Sequence, residues 1–315
     1  MGVGAGTRLR GGKLSSDSEH FGVMRGLDVD NLETLTKEEV DAHLVNTWAP
    51  RGVLYDMYAS SLMLDYGGPA FIKMHTRAYT VTESFLDMPA RAKAATRASL
   101  TLSSYVTLGW ETGIRNQFNV LRQFGIPKEQ SMEIVLFSQL YAGMRGLGHT
   151  YHAVGDFLPA MSRHTVAQEL PPGWETEPEA FVSGLDFSVR ELTAKDRENL
   201  TAWYERNVGY LPESMHFGLR HHPEFVKANR GKWETAIRTL PKQFAPWLMI
   251  RQNMMSGNVD GLRESVLLGK NWGITREMTI SGVSSAVMYF TGFEGYYTAF
   301  KAIDDVLENW DGRVQ

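Results

Sequence analysis

His149 and His152 stand three residues apart in Gly148-His149-Thr150-Tyr151-His152, with Asp156 one turn further on. On a helix the three share a face. Two imidazoles beside a carboxylate can do general acid–base work or hold a divalent metal; ordinary histidines on a solvated face have the same spacing. Arg145 lies one turn before His149 in Gly143-Met144-Arg145-Gly146, and Glu294 sits in the matching string Gly292-Phe293-Glu294-Gly295. A guanidinium can clamp a carboxylate and a glutamate can act as base; equally, the two can meet as a salt bridge. Arg115 and Arg263 occur as Gly113-Ile114-Arg115 and Gly261-Leu262-Arg263. Each suits an anion site or a packing ion pair, with Glu111 and Asp260 nearby as partners. Tyr141 and Tyr289 each precede a small-residue segment, where a phenol can donate a proton to a substrate or be tied off in the core.

These pairings reflect a repeat. Gly125-Ile126-Pro127-Lys128-Glu129 recurs as Gly273-Ile274-Thr275-Arg276-Glu277, 148 residues later. Tyr141 is followed by Gly143 and Gly146, and Tyr289 by Gly292 and Gly295, so one residue is inserted and the spacing becomes 149. That spacing holds from Ala153-Val154-Gly155-Asp156 to Ala302-Ile303-Asp304-Asp305. Upstream, Pro69-Ala70-Phe71-Ile72-Lys73 is echoed by Pro223-Glu224-Phe225-Val226-Lys227. A register this long describes two copies of one supersecondary unit, and positions that differ between copies are where chemistry is to be sought. The organisation read from it is an arm over 1–33, a first helical repeat over 34–158, a linker over 159–190, a second repeat over 191–308 and a tail over 309–315. In the second copy His149, His152 and Asp156 are matched by Thr298, Lys301 and Asp305, which confines any histidine chemistry to the first.

The elements that must position these groups are helical. Apolar and small residues recur at helical spacing from Ala90 to Val106, and Ile114, Phe118 and Leu121 form a stripe on the next helix, which stops at Gly125. Pro127 and Glu129 open a long helix whose expected inner face carries Met132, Val135, Leu136, Leu140 and Met144. The same pattern returns from Pro246 to Leu307, and alternating Val/Ile/Thr runs with Asn-Gly or Asp-Gly turns are missing. The fold class is all-α.

The ordered string of helix, small-residue turn, helix ending in Gly-Ile, Pro/Thr-x-Glu and Tyr-x-Gly resembles the carboxymuconolactone decarboxylase-like, or alkylhydroperoxidase D-like, superfamily. The resemblance implies two fused helical units, and a homo-oligomer, either a trimer of fused pairs or a dimer. The peroxidase branch carries Cys-x-x-Cys-x-x-x-His before the Gly-Ile turn. Those places are Trp110, Gly113 and Gln117 in the first copy, and Asn258, Gly261 and Ser265 in the second. The chain has no cysteine, so thiol peroxide reduction is excluded. The decarboxylase branch needs no thiol and acts on anionic unsaturated lactones by proton transfer.

The leading expectation is therefore a cysteine-free lyase (decarboxylase) or isomerase for a small anionic, unsaturated or aromatic-derived acid or lactone. It uses no cofactor and no metal. Arg145, His149, His152 and Tyr141 are its expected catalytic groups, joined by Glu294 and Tyr289 from the second copy; Arg115, Arg263, Trp110 and Gln117 are expected to bind substrate. The alternatives are a non-catalytic ligand-binding or scaffold protein, and a metal enzyme using His149 and His152. His216, His221, His222 and His75 are weaker metal candidates, with His221-His222 read as a loop. A chain of 315 residues, 43% hydrophobic, supports a sizeable core, and a net charge of −4 argues against nucleic acid and anionic membrane partners. Neither a membrane span nor a signal peptide is expected. A cytoplasmic location fits the lack of cysteine. The Gly/Ser-rich arm reads as partly disordered, and Pro159, Pro171-Pro172-Gly173 and the acidic run at 175–179 mark the linker, a lid or a wrap.

Overall fold

Side-chain caps mark several helix starts. Thr193 caps a helix by accepting from the Asp196 amide (3.0 Å) while Asp196 accepts from the Thr193 amide (3.0 Å). Asn258 and Thr275 cap two more, accepting from Gly261 and Met278. The structure, a computed structural model, describes residues 30–40, 42, 54–84, 86–161 and 166–311. The 1–29 part of the arm and the tail beyond residue 311 lie outside the described residues.

After a short helical segment at 37–40, the elements are α1 (Leu54–Ser84), α2 (Ala90–Leu108), α3 (Glu111–Gln123) and α4 (Lys128–Val154). A 3-10 turn (Pro178–Phe181) then leads to α5 (Ala194–Asn207), α6 (Glu213–His221), α7 (Pro223–Ala236), α8 (Phe244–Ser256), α9 (Val259–Asn271) and α10 (Arg276–Ala286). A π turn (Val287–Thr291) joins α10 to α11 (Glu294–Glu308). No strand occurs among the described residues, so the all-α class is observed. No helix of the described residues is long and apolar enough to cross a membrane.

Matched positions have matched backbones. Gly109 and Gly257 end α2 and α8 with φ of 70° and 65°; Gly125 and Gly273 follow α3 and α9 with φ of 86° and 91°. Gly143 (φ 67°, ψ −169°) bends α4 where Gly292 (φ 61°, ψ −168°) separates the π turn from α11. Only glycine takes this last conformation without strain. The π turn falls where the second half of the sequence carries its inserted residue.

Helices α2 and α8 pack together along the middle of the molecule. Gln252 donates to the Ser103 hydroxyl (2.6 Å) and carbonyl (3.1 Å), Ser138 donates to the Ser103 hydroxyl (2.7 Å), and Thr107 donates to Gln252 (2.8 Å). Trp247 donates its indole N–H to the Thr96 carbonyl (3.1 Å). Such buried groups stabilise only because each is satisfied. The elements also cross between halves: α4 packs on α7, and α10 on α1. Glu133 of α4 accepts amides of Thr239 and Leu240 (3.0 Å each).

Two expectations need correction. The inner face of α4 carries Ser131, Ile134, Val135, Phe137 and Ser138, whereas Leu136 and Met144 are exposed. Small serines, satisfied by helix carbonyls and by Ser103, let α4 approach α2 closely, so apolar spacing alone misplaced the face. His221 is the last residue of α6 and His222 the single residue before α7, which is a helix junction and not a loop. The described part of 159–190 inserts Trp174 and Phe181 into the core, and Arg91 donates to the Ala167 carbonyl.

Candidate functional site

The described groups best arranged for proton transfer surround Glu264. Leu262, Ser265 and Val266 hold α9 against the core, which leaves Glu264 half-buried on its flank. Its charge is felt by Tyr141 of α4 and Tyr204 of α5, as well as Tyr210 beyond α5, while Arg230 of α7 acts on it in turn. The carboxyl accepts no hydrogen bond from a described residue. Burial pushes its pKa up to about 7 from an ordinary 4.5, with Arg230 opposing the shift. All three phenols are raised, by burial first and by Glu264 next. At neutral pH they keep their protons and can donate, while Glu264 stands near half-protonation. Tyr141 keeps 38% of its surface accessible although burial dominates its shift.

The arginines near Glu264 are committed. The Arg230 guanidinium lies 3.9 Å from the Trp203 ring and 4.1 Å from the Trp233 ring. It donates to Glu234 (3.0 Å) and to the Phe181 carbonyl (3.0 Å). Arg263 holds both carboxylate oxygens of Asp305 at 2.7 Å, an arrangement that raises the arginine and lowers the aspartate. Both act here as fixed electrostatic walls.

The structure distributes the expected residues over several places. His149 joins Glu111 (2.9 Å) at one ring nitrogen, and Arg145 donates to the other (3.4 Å), all at the surface. His152 is exposed beside Tyr151 and shares no partner with His149. Arg145 and Glu294 do not bridge, because both are exposed and Arg145 turns back along its own helix to His149. Glu111 and Asp260 are not the partners of Arg115 and Arg263: Arg115 covers Phe157 (5.3 Å) and Arg263 takes Asp305. Tyr141 lies within electrostatic reach of Glu264, whereas Tyr289 lies against Tyr79 (5.8 Å). Trp110 precedes α3 and stacks edge-on with Tyr105 (4.5 Å), over Gly113, where a Cβ would come within 2.2 Å of the indole. Gln117 is half-buried on α3. Burial lowers the pKa of His75 on α1, and no metal-holding group of three or more His, Asp or Glu occurs among the described residues.

Glu264 is absent from the residues that sequence reasoning selected, yet a signal existed. Its match in the first half is Asn116, so the position differs in charge between copies. No family model, curated protein or solved structure matches the chain.

Proposed function

We propose that the chain is a cysteine-free proton-transfer enzyme, a lyase or isomerase for a small unsaturated or aromatic-derived acid or lactone, in which Glu264 moves the proton. The observation that carries this reading is a half-buried carboxyl without a hydrogen-bond partner among the described residues, within electrostatic reach of the protonated phenols of Tyr141 and Tyr210. In the decarboxylating direction the C–CO2 bond breaks and its electron pair enters the conjugated system. Protonated Glu264 then delivers its proton to carbon and is left as carboxylate, to be reprotonated from water. Tyr141 and Tyr210 stabilise negative charge developing on substrate oxygen by donating hydrogen bonds.

The wider reading is a pair of fused carboxymuconolactone decarboxylase-like units. The matched glycine conformations and equal lengths of α3 and α9 support it. The exposed stripe Phe293, Tyr296, Tyr297 and Phe300 on α11 supports self-association into a homo-oligomer.

The test is deuterium incorporation at carbon, followed by NMR, across a panel of unsaturated lactone acids in D2O. The wild-type chain should catalyse exchange with a pH dependence centred near 7, and Glu264→Gln should abolish it. Exchange retained in Glu264→Gln, or none with any member of the panel, rejects the reading.

A further inference from the structure

Beyond its bend at Gly143, helix α4 presents Met144 (70% exposed) and Tyr151 (70%) to solvent. The matched residues beyond Gly292 are Phe293 (84%) and Phe300 (63%). Exposed Tyr296 and Tyr297 complete the latter into one stripe, since residues 293, 296, 297 and 300 share a helical face. Neither bend is covered: a Cβ added at Gly143 or Gly292 would meet no atom of a described residue. The four α11 rings expose about 500 Å2 at roughly 200 Å2 per ring, more than half of the ~800 Å2 that each partner gives to a standard interface.

The two matched faces carry opposite charge. Between Gly143 and its end at Val154, α4 has Arg145 and no acid. The Arg145 Nε donates to His149 (3.4 Å), and its two terminal nitrogens have no partner among the described residues. On α11 the one cation, Lys301, lies over the Tyr297 ring of its own helix (4.4 Å), and Asp305 is held by Arg263. Glu294 and Asp304 are exposed and make no ion pair among the described residues. Arg145 and Glu294 thus hold one place in the two halves, each beside an exposed apolar residue, and do not meet within the chain. A face built twice with opposite charge is complementary to another copy of itself. Gly148, between Met144 and Tyr151, leaves a gap where an added Cβ would meet nothing, and an aromatic ring of the α11 stripe fits there.

We propose that the face of α4 beyond Gly143 docks on α11 of a second copy of this chain, with Arg145 of one copy paired to Glu294 of the other. The proposal rests on the homo-oligomer reading above and names the two faces that make the contact; it does not involve Glu264. Burial of the rings supplies the affinity, and the charge pair decides which face meets which. Contacts of α4 with α4, or of α11 with α11, set like charges against each other and are disfavoured.

Sedimentation equilibrium of the full chain and of charge-exchanged variants tests the proposal. The wild type should sediment as a whole multiple of the monomer mass. Arg145→Glu and Glu294→Arg should each weaken association at least about tenfold by opposing like charges across the contact. The double variant, in which the two charges are exchanged, should regain wild-type association. If Arg145→Glu disturbs α4, Phe300→Ser gives a second readout: dissociation with an unchanged circular dichroism spectrum. A wild type that stays monomeric at its highest soluble concentration rejects the homo-oligomer reading and this contact together. An oligomer that keeps its mass in both single variants, or a double variant no stronger than either, overturns these faces and leaves self-association standing.

Discussion

Replacing Glu264 by glutamine separates its titration from everything else in the chain. Glutamine reproduces the protonated carboxyl in shape and lacks the charge. The folded-state value of about 7 lies above the ordinary 4.5, so the folded chain holds this proton more tightly than the unfolded chain. The sign follows: wild-type stability is highest at low pH with respect to this group, falls as pH rises from about 4.5, and stops falling above about 7. Fully expressed, the difference between pH 5 and pH 8 is on the order of 2–3 kcal/mol; partial solvation of a half-buried group reduces it to about 1–2 kcal/mol. Urea unfolding of both proteins at several pH values measures it. The two should be nearly equal at pH 5, and Glu264→Gln should be the more stable by about 1–2 kcal/mol at pH 8. A gap that stays constant from pH 5 to 8, or one that favours the wild type at pH 8, refutes the desolvated-carboxyl argument.

Further perturbations test the frame of the fold. Lys227 and Asp196 form a bridge of 2.7 Å with both side chains 3% exposed, so Lys227→Met should cost about 3–5 kcal/mol in chemical unfolding by stranding a buried carboxylate. Burial opposes ionisation of Asp196, but hydrogen bonds from Lys227 and the Asp186 and Thr193 amides outweigh it and hold its pKa well below the ordinary 3.8. Its stabilising contribution is therefore present above about pH 4 and lost on acidification below that, as an acid-unfolding titration should show. Gly143→Ala and Gly292→Ala meet no neighbouring atom but force alanine to positive φ, and each should cost about 1–2 kcal/mol, a lowering of the thermal midpoint by a few degrees. Gly113→Ala drives a methyl group into Trp110 and Tyr105; about 1–3 kcal/mol of overpacking and an altered near-ultraviolet aromatic spectrum are expected.

Helix positions were legible in the sequence because period and punctuation are local. The stripe Ile114, Phe118 and Leu121 is buried as its spacing requires, and the Gly125 and Gly273 stops both adopt positive φ. What escaped was long-range. Ser103 and Ser138 carry no apolar signal of their own, yet they are fully buried because partners on other helices satisfy them. The one-turn spacing of Arg145 and His149 was legible on one helix, whereas the Glu111 that completes their surface cluster arrives from the preceding helix, α3, and was read as a partner of Arg115. Glu264 was not selected, since it sits in no motif. Its only signal was the contrast with Asn116 in the other half, and weighing it required knowing which positions face inward. The inserted residue was visible as a change of register; its absorption by a π turn was not.

The most direct measurement of the central claim is the titration of the Glu264 side-chain carboxyl by 13C NMR on glutamate-labelled protein, assigned by its disappearance in Glu264→Gln. The account predicts a midpoint near 7. A midpoint near 4.5, the value of an ordinary solvated glutamate, contradicts it and removes Glu264 as the proton carrier.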